Sequence, residues 1–316
     1  MQPATSRVHP NRRYFLLAIL LLIALYVLLP QFGQFRSSWH LLSHPYAGWT
    51  VAAICLTVLT YTAAAATYGF LAFKPLAYSQ TLLVQLAAMF VNRLLPGGLG
   101  ALGANYAYLR RRRHTAAQAT TTVAVNNLIG LIGHSLLVVV ALALSTGRIM
   151  AGPPGHGQVW VTAAKLTVVV AALIVAFGLV FGRRRLWRFM VTVRKDVLSY
   201  RQRPWRLAAA LGSSMFLTLS NVLCLAACAL AMGVHLPLVI LLLIFSLGIG
   251  AGTATPTPGG LGGFEAGLTA GFIAYQVAGP AALATALLYR LVSYWLPLPA
   301  GALALTVCQK KRLFSD

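Results

Sequence analysis

Apolar runs longer than the ~20 residues needed by a membrane-spanning helix recur along this chain, separated by short clusters of Arg and Lys. That pattern confines the fold to helices packed inside a bilayer. Hydrophobic residues make up 59% of the 316 and charged residues 9%, so a soluble fold is excluded. The first run, 14–30, has the length of a secretory leader. It lacks a small-residue cleavage site and further runs follow, so it reads as a first span.

A net charge of +22 would fit a nucleic-acid binder, but its distribution does not. Twenty of the 25 basic residues fall at helix ends: Arg7, Arg12 and Arg13; Lys74; Arg110 to Arg113; nine from Arg183 to Arg206; and Lys310, Lys311 and Arg312. This is the positive-inside signature of a membrane protein, with attraction to anionic headgroups, and no nucleic-acid partner is expected. The four cysteines (Cys55, Cys224, Cys228, Cys308) lie in apolar spans without neighbouring His or acid and read as inert buried thiols.

Charge placement sets a topology with both termini cytoplasmic. Spans are expected at 14–30, 48–72, 116–145, 159–182, 207–232 and 282–308. Two further segments, 76–95 and 237–254, run into Pro96-Gly97-Gly98-Leu99-Gly100 and Pro258-Gly259-Gly260-Leu261-Gly262. Only about 13 residues separate the first break from Arg110, roughly 20 Å of helix, too little to cross a ~30 Å core. Each segment is therefore expected to turn back as a re-entrant hairpin, the first opening to the cytoplasm and the second to the outside. The expected fold is an all-α polytopic membrane protein: six spans plus two oppositely oriented re-entrant hairpins. They form an inverted-topology repeat, 1–158 and 159–316, with the breaks meeting near the midplane. Pro96, Gly97, Gly98 and Gly100, and Pro258, Gly259, Gly260 and Gly262, are the expected hinge positions.

Acids are scarce: Asp196 lies in a basic loop, Asp316 is the last residue, and Glu265 alone sits in a strongly apolar stretch. A carboxylate at membrane depth usually has a partner and a task. Arg290, eight residues into the last span, stands at comparable depth and is the expected ion-pair partner. The pair either locks the hairpin or takes part in binding. Arg93, three residues before the first break, has no acid left to pair with. Its counter-charge is either a ligand anion or backbone carbonyls freed by the break. Such a site suits a phosphate headgroup, which Arg binds through two parallel hydrogen bonds. Asn92, Asn105, Asn126, Asn127, His134, Tyr289 and Tyr294 gather at the same level as candidate polar lining. Gly263, Gly267 and Gly271, four residues apart, favour close helix packing. The run from Gly98 to Gly103 satisfies G-x-G-x-x-G, but without a preceding strand or a downstream acid it is no dinucleotide site. The chain has no catalytic acid pair, zinc-protease motif or phosphate-loop lysine, so neither an enzyme nor a cofactor is expected.

At Pro258 to Glu265, and again at Leu287-Leu288-Tyr289-Arg290-Leu291-Val292-Ser293-Tyr294-Trp295-Leu296-Pro297, the chain resembles the transmembrane region of lysylphosphatidylglycerol synthases. It looks like a stand-alone relative without an aminoacyl-transferase domain. The resemblance implies a bacterial or archaeal cell-membrane protein that moves anionic or aminoacylated lipids, or lipid-linked sugars, between leaflets, and the expected partner is an anionic phospholipid or a polyprenyl-phosphate-linked lipid. In the first half it departs from the family pattern. Ala101 stands where members often have an acid, and Asn126-Asn127 where they often have Glu-Arg. The expectation is a lipid flippase or scramblase-like transporter. The alternative is a non-transporting scaffold or accessory subunit of an envelope-lipid enzyme.

Overall fold

A computed structural model describes residues 45–94, 99–150, 200–255 and 257–314. The regular elements among them are all helical. In chain order they are α1 (Ala47–Leu71), α2 (Tyr78–Leu94), α3 (Leu99–Arg111), α4 (Ala116–Met150), α5 (Pro204–Ala231), α6 (Leu238–Ala254), α7 (Gly263–Ala274), α8 (Gly279–Arg290) and α9 (Pro297–Lys310). Prolines and glycines set most boundaries. Pro204 and Pro280 open α5 and α8, where a missing N–H costs nothing. Gly233, with φ +74°, closes α5 in a conformation that glycine adopts freely.

Four helical stretches are long and apolar enough to cross a membrane: Ala47–Leu71, Ala116–Ala143, Pro204–Ala231 and Gly279–Lys310. They correspond to four of the six expected spans. The spans expected at 14–30 and 159–182, and the break residues Pro96, Gly97 and Gly98, lie outside the described residues.

The core pair is α1 against α5, packed antiparallel along their lengths. Ser213 Oγ donates to the Ala63 carbonyl at 2.9 Å, the Thr57 hydroxyl meets Cys224 Sγ at 3.4 Å, and Tyr200 OH donates to the Leu71 carbonyl at 2.6 Å. Cys224, Cys228 and Cys308 are buried as expected, whereas Cys55 is exposed on α1.

Two short hairpins flank this pair. In the first, α2 (17 residues) and α3 (13 residues) run antiparallel. They are joined by Thr81 to Tyr108 (3.0 Å), Gln85 to Asn105 (2.7 Å) and the Ala101 N–H to Asn92 Oδ1 (3.3 Å). In the second, α6 (17 residues) and α7 (12 residues) run antiparallel with almost no space between backbones. A β-carbon at Gly267 would lie 2.8 Å from the Ala251 Cβ and 3.0 Å from the Gly248 Cα, and one at Gly271 would lie 2.9 Å from Ile244. The glycine spacing therefore sets how near α7 comes to α6.

The basic clusters of the described residues meet at one end of the bundle. Lys74 Nζ donates to the Arg113 carbonyl, Arg206 to the Gly69 and Ala72 carbonyls, and Arg111 to the Arg312 carbonyl. Both feet of the α2–α3 hairpin stand at this end. At the other end the Tyr46 N–H reaches the Ala231 carbonyl at 3.1 Å, and the α6–α7 hairpin starts from there.

His114 is the buried pivot of the basic end. Its Nε2 accepts the Lys74 backbone N–H at 3.1 Å and its Nδ1–H donates to the Leu109 carbonyl at 3.1 Å, an arrangement that requires the neutral ring. Burial holds its pKa below the usual 6.5, and the Lys74 charge adds to the effect. Below pH ~6.5 the unfolded chain takes up a proton that the folded one resists, so stability falls as the pH drops towards the folded pKa. Thermal unfolding of the purified protein at pH 7.5 and 5.5 should show a lower Tm in acid, and the difference should shrink in His114→Gln.

The last span is not the continuous helix expected over 282–308. A π-helical turn, Leu291–Trp295, separates α8 from α9, with the Leu296 N–H bonded back to the Leu291 carbonyl at 2.8 Å. Pro297 and Pro299 follow and supply no N–H to the carbonyls four residues earlier, those of Ser293 and Trp295. The two halves of the span also pack on different partners. α8 lies against α7 and α5, whereas α9 lies against α2. A β-carbon at Gly301 of α9 would come within 2.8 Å of Phe90 Cβ on α2.

Candidate functional site

The tip of the second hairpin is built by glycines in the left-handed region. Gly259 and Gly260 have φ +64° and Gly262 φ +85°. A side chain at Gly259 would be strained and would also run into the Tyr294 ring. This turn delivers Glu265 to the first turn of α7, where its Oε2 accepts the Gly262 N–H at 2.8 Å. Its Oε1 accepts from Arg290 Nε at 2.6 Å, and both side chains are about nine-tenths buried. Arg290 Nη2 also donates to the Gly259 carbonyl at 2.9 Å. The expected Glu265–Arg290 pair is thus formed, and among the described residues Glu265 caps a helix and holds an arginine.

Arg290 Cζ stands 4.5 Å from the centre of the Phe264 ring and 4.7 Å from that of Tyr294. The Tyr294 ring carries a second guanidinium, since Arg93 Cζ lies 4.6 Å from the same centre. Arg93 comes from α2, so the ring joins the first hairpin to the last span. α2 also touches the Pro258–Gly260 turn, and the two hairpins meet here. Cation–π contacts of this kind contribute about 0.5–2 kcal/mol each, with the upper end for desolvated groups.

Arg93 is buried. Its Nη1 donates to the Tyr294 carbonyl, and its Nη2 to the Ser293 carbonyl at 2.6 Å and, more weakly, to Tyr61 OH at 3.4 Å. Among the described residues, the carbonyls that meet the guanidinium belong to the π-turn of the last span, which Pro297 leaves short of a donor; the Pro96 break lies outside them. Dipoles satisfy its hydrogen bonds without cancelling its charge. Among the described residues the site therefore holds two guanidinium charges against one carboxylate in apolar surroundings, where an approaching anion is attracted far more strongly than in water.

The other candidates are placed around this centre. Tyr289 stacks on Phe264 (5.8 Å between centres, 16° between planes) and turns its hydroxyl to Asn221 Oδ1 of α5 at 3.3 Å. His134 meets the edge of Phe245 at 6.4 Å, and Phe245 in turn lies 6.1 Å from Phe264, so the histidine ends an aromatic chain that leads to Arg290. Asn92 and Asn105 fasten α2 to α3. Gly100 is where those helices come closest, with a β-carbon there only 2.6 Å from the Asn92 nitrogen. Asn126 is half-buried, and Asn127 is exposed and donates to the Val123 carbonyl of its own helix at 2.8 Å. Both stand on α4, which packs against α5 and α6.

Sequence reasoning did not single out Tyr61, Gln85 or Ser293, and it placed Tyr294 only as polar lining at the level of the breaks. The available signal was Pro297, whose missing N–H marks Ser293, four residues earlier, as a carbonyl in need of another donor.

A family model described as the lysylphosphatidylglycerol synthase TM region matches residues 15–301. The chain belongs to that family. The matched region takes in both hairpins, the Glu265–Arg290 pair, Arg93 and the π-turn. Membership and the four apolar helices make this a multi-pass membrane protein and place its function with membrane lipids. No curated protein matches the chain.

Proposed function

We propose that the protein moves an anionic lipid between leaflets, binding the headgroup phosphate at Arg93 beside Tyr294 and Arg290. The observation that carries this reading is Arg93. It is a buried guanidinium at the meeting point of the two hairpins, and among the described residues its hydrogen bonds are met by neutral oxygens and its charge by no acid. Headgroup phosphate supplies the missing charge and fits the forked geometry of Arg, while the acyl chains stay in the bilayer. Glu265 is a positioning residue that keeps Arg290 against Tyr294.

In this reading the two hairpins are re-entrant halves of an inverted repeat, open to opposite faces of a bacterial or archaeal cell membrane. The basic end lies in the cytoplasm, where it gathers anionic lipid. The substrate is an anionic phospholipid or a polyprenyl-phosphate-linked lipid. Support comes from the family, from the short lengths of α2, α3, α6 and α7, and from the grouping of the basic residues at one end. The test is reconstitution into liposomes that carry a fluorescent phosphatidylglycerol in both leaflets. A membrane-impermeant quencher should remove about half of the signal from protein-free vesicles and nearly all of it from those holding the protein. Equal quenching in both would leave the scaffold reading in its place.

A further inference from the structure

We infer that Arg93 is a releasable latch on a hinge in the last span, and that a lipid-borne phosphate opens it by taking the guanidinium from the π-turn carbonyls. This rests on the lipid-transport reading and adds to it the step that couples binding to movement. Three observations carry it.

The first is the hinge. The π-turn at Leu291–Trp295 divides a 32-residue span into α8, which packs with the second hairpin, and α9, which packs with the first. Pro297 follows at once and leaves the Ser293 carbonyl without its helical donor. A rotation at this turn therefore moves one hairpin relative to the other while each half keeps its own packing.

The second is what holds the hinge. Arg93 reaches from α2 to the Ser293 and Tyr294 carbonyls and to the Tyr294 ring. These are neutral acceptors. A phosphate offers the same fork two charged oxygens in the planar two-bond geometry that Arg favours, and adds the compensating negative charge that neutral carbonyls lack. The Tyr61 contact, at 3.4 Å, is the weakest of the set and the easiest to exchange. Once Arg93 has turned to the phosphate, both carbonyls lose that donor, and Ser293, which Pro297 already deprives of its helical one, is left short in an apolar setting, a state that favours repacking of the turn.

The third is access. Residues beside the latch face outward: Leu94 follows Arg93 and is 59% exposed, while Leu291 and Trp295, at the two ends of the π-turn, are 50% and 49% exposed. These side chains give lipid chains an apolar surface beside the latch.

The test is hydrogen–deuterium exchange of the full chain in maltoside micelles, which contain no phosphate, read on peptides covering 291–298. Dodecyl phosphate should speed exchange there about tenfold, with peptides from α1 and α5 unchanged, and inorganic phosphate at the same concentration should leave the segment as it was. Arg93→Gln should exchange at the faster rate without additive and show no further response. Arg93→Lys, which keeps the charge but not the fork, should exchange faster than wild type and still respond to dodecyl phosphate. No response in wild type, a wild-type rate in Arg93→Gln, or an equal effect of inorganic phosphate would each overturn the latch. The outcomes separate it from lipid transport itself. Exchange that responds in a protein that moves no lipid keeps the latch and removes the transport reading; lipid movement with an unresponsive turn does the reverse.

Discussion

Glu265→Ala is expected to lower stability by about 3–5 kcal/mol, the usual cost of removing one partner from a buried ion pair. The carboxylate is the acidic partner that Arg290 has among the described residues, at 2.6 Å, and it also caps α7 through the Gly262 N–H at 2.8 Å. Its loss leaves a guanidinium charge without compensation in an apolar interior and a helix start without its acceptor. Scanning fluorimetry in detergent reads this as a large fall in Tm. The double variant Glu265→Ala/Arg290→Met removes both charges and should recover much of the loss. The comparison isolates the pair from the cap, because the cap is missing in both. A double variant no more stable than Glu265→Ala would show that the charge pair is not what holds the turn.

The second large effect is on activity. Arg93→Gln should slow movement of fluorescent phosphatidylglycerol at least tenfold, the effect of losing about 1.4 kcal/mol or more of headgroup binding in the rate-determining state. Arg93→Lys should retain an intermediate rate, since an ammonium keeps the charge but cannot bind a phosphate through a planar fork. Arg93→Gln also leaves the Ser293 and Tyr294 carbonyls short of donors, so its Tm will fall as well. The two effects separate in the double variant Arg93→Gln/Pro297→Ala. Restoring an N–H at 297 returns a donor to the Ser293 carbonyl and should recover part of the Tm while leaving transport slow. Transport that recovers in step with Tm would mean that Arg93 serves the fold alone.

Much of this site was legible in the chain because it depends on rare residues. An acid alone in an apolar stretch must find a base, and Arg290 is at its depth; the structure pairs them. Proline and glycine announce the second break, and positive φ at Gly259, Gly260 and Gly262 shows why those residues stand there. The glycines at 263, 267 and 271 likewise foretell a close helix contact, though not that the neighbour would be α6. The π-turn escaped because Pro297 is its one residue-type signal and marks a single carbonyl, that of Ser293, while Arg93's partners are backbone oxygens, which every residue possesses. Asn126 and Asn127 illustrate a different limit. Their offset from the motif proline indicates depth, but the side on which a residue faces depends on helix rotation, and Asn127 faces outward. Cys55 is a similar case: an apolar span does not say which of its residues meet lipid and which meet protein.

If the charge that compensates Arg93 comes from the substrate, transport must discriminate between headgroups. Initial rates should be measured in one set of proteoliposomes for fluorescent lipids with matched chains and different headgroups: phosphatidylglycerol and a neutral diacyl sugar lipid without phosphate. The wild-type protein should prefer phosphatidylglycerol at least tenfold, and Arg93→Gln should lose most of that preference. Equal rates for the two lipids in the wild-type protein would contradict a substrate origin for that charge.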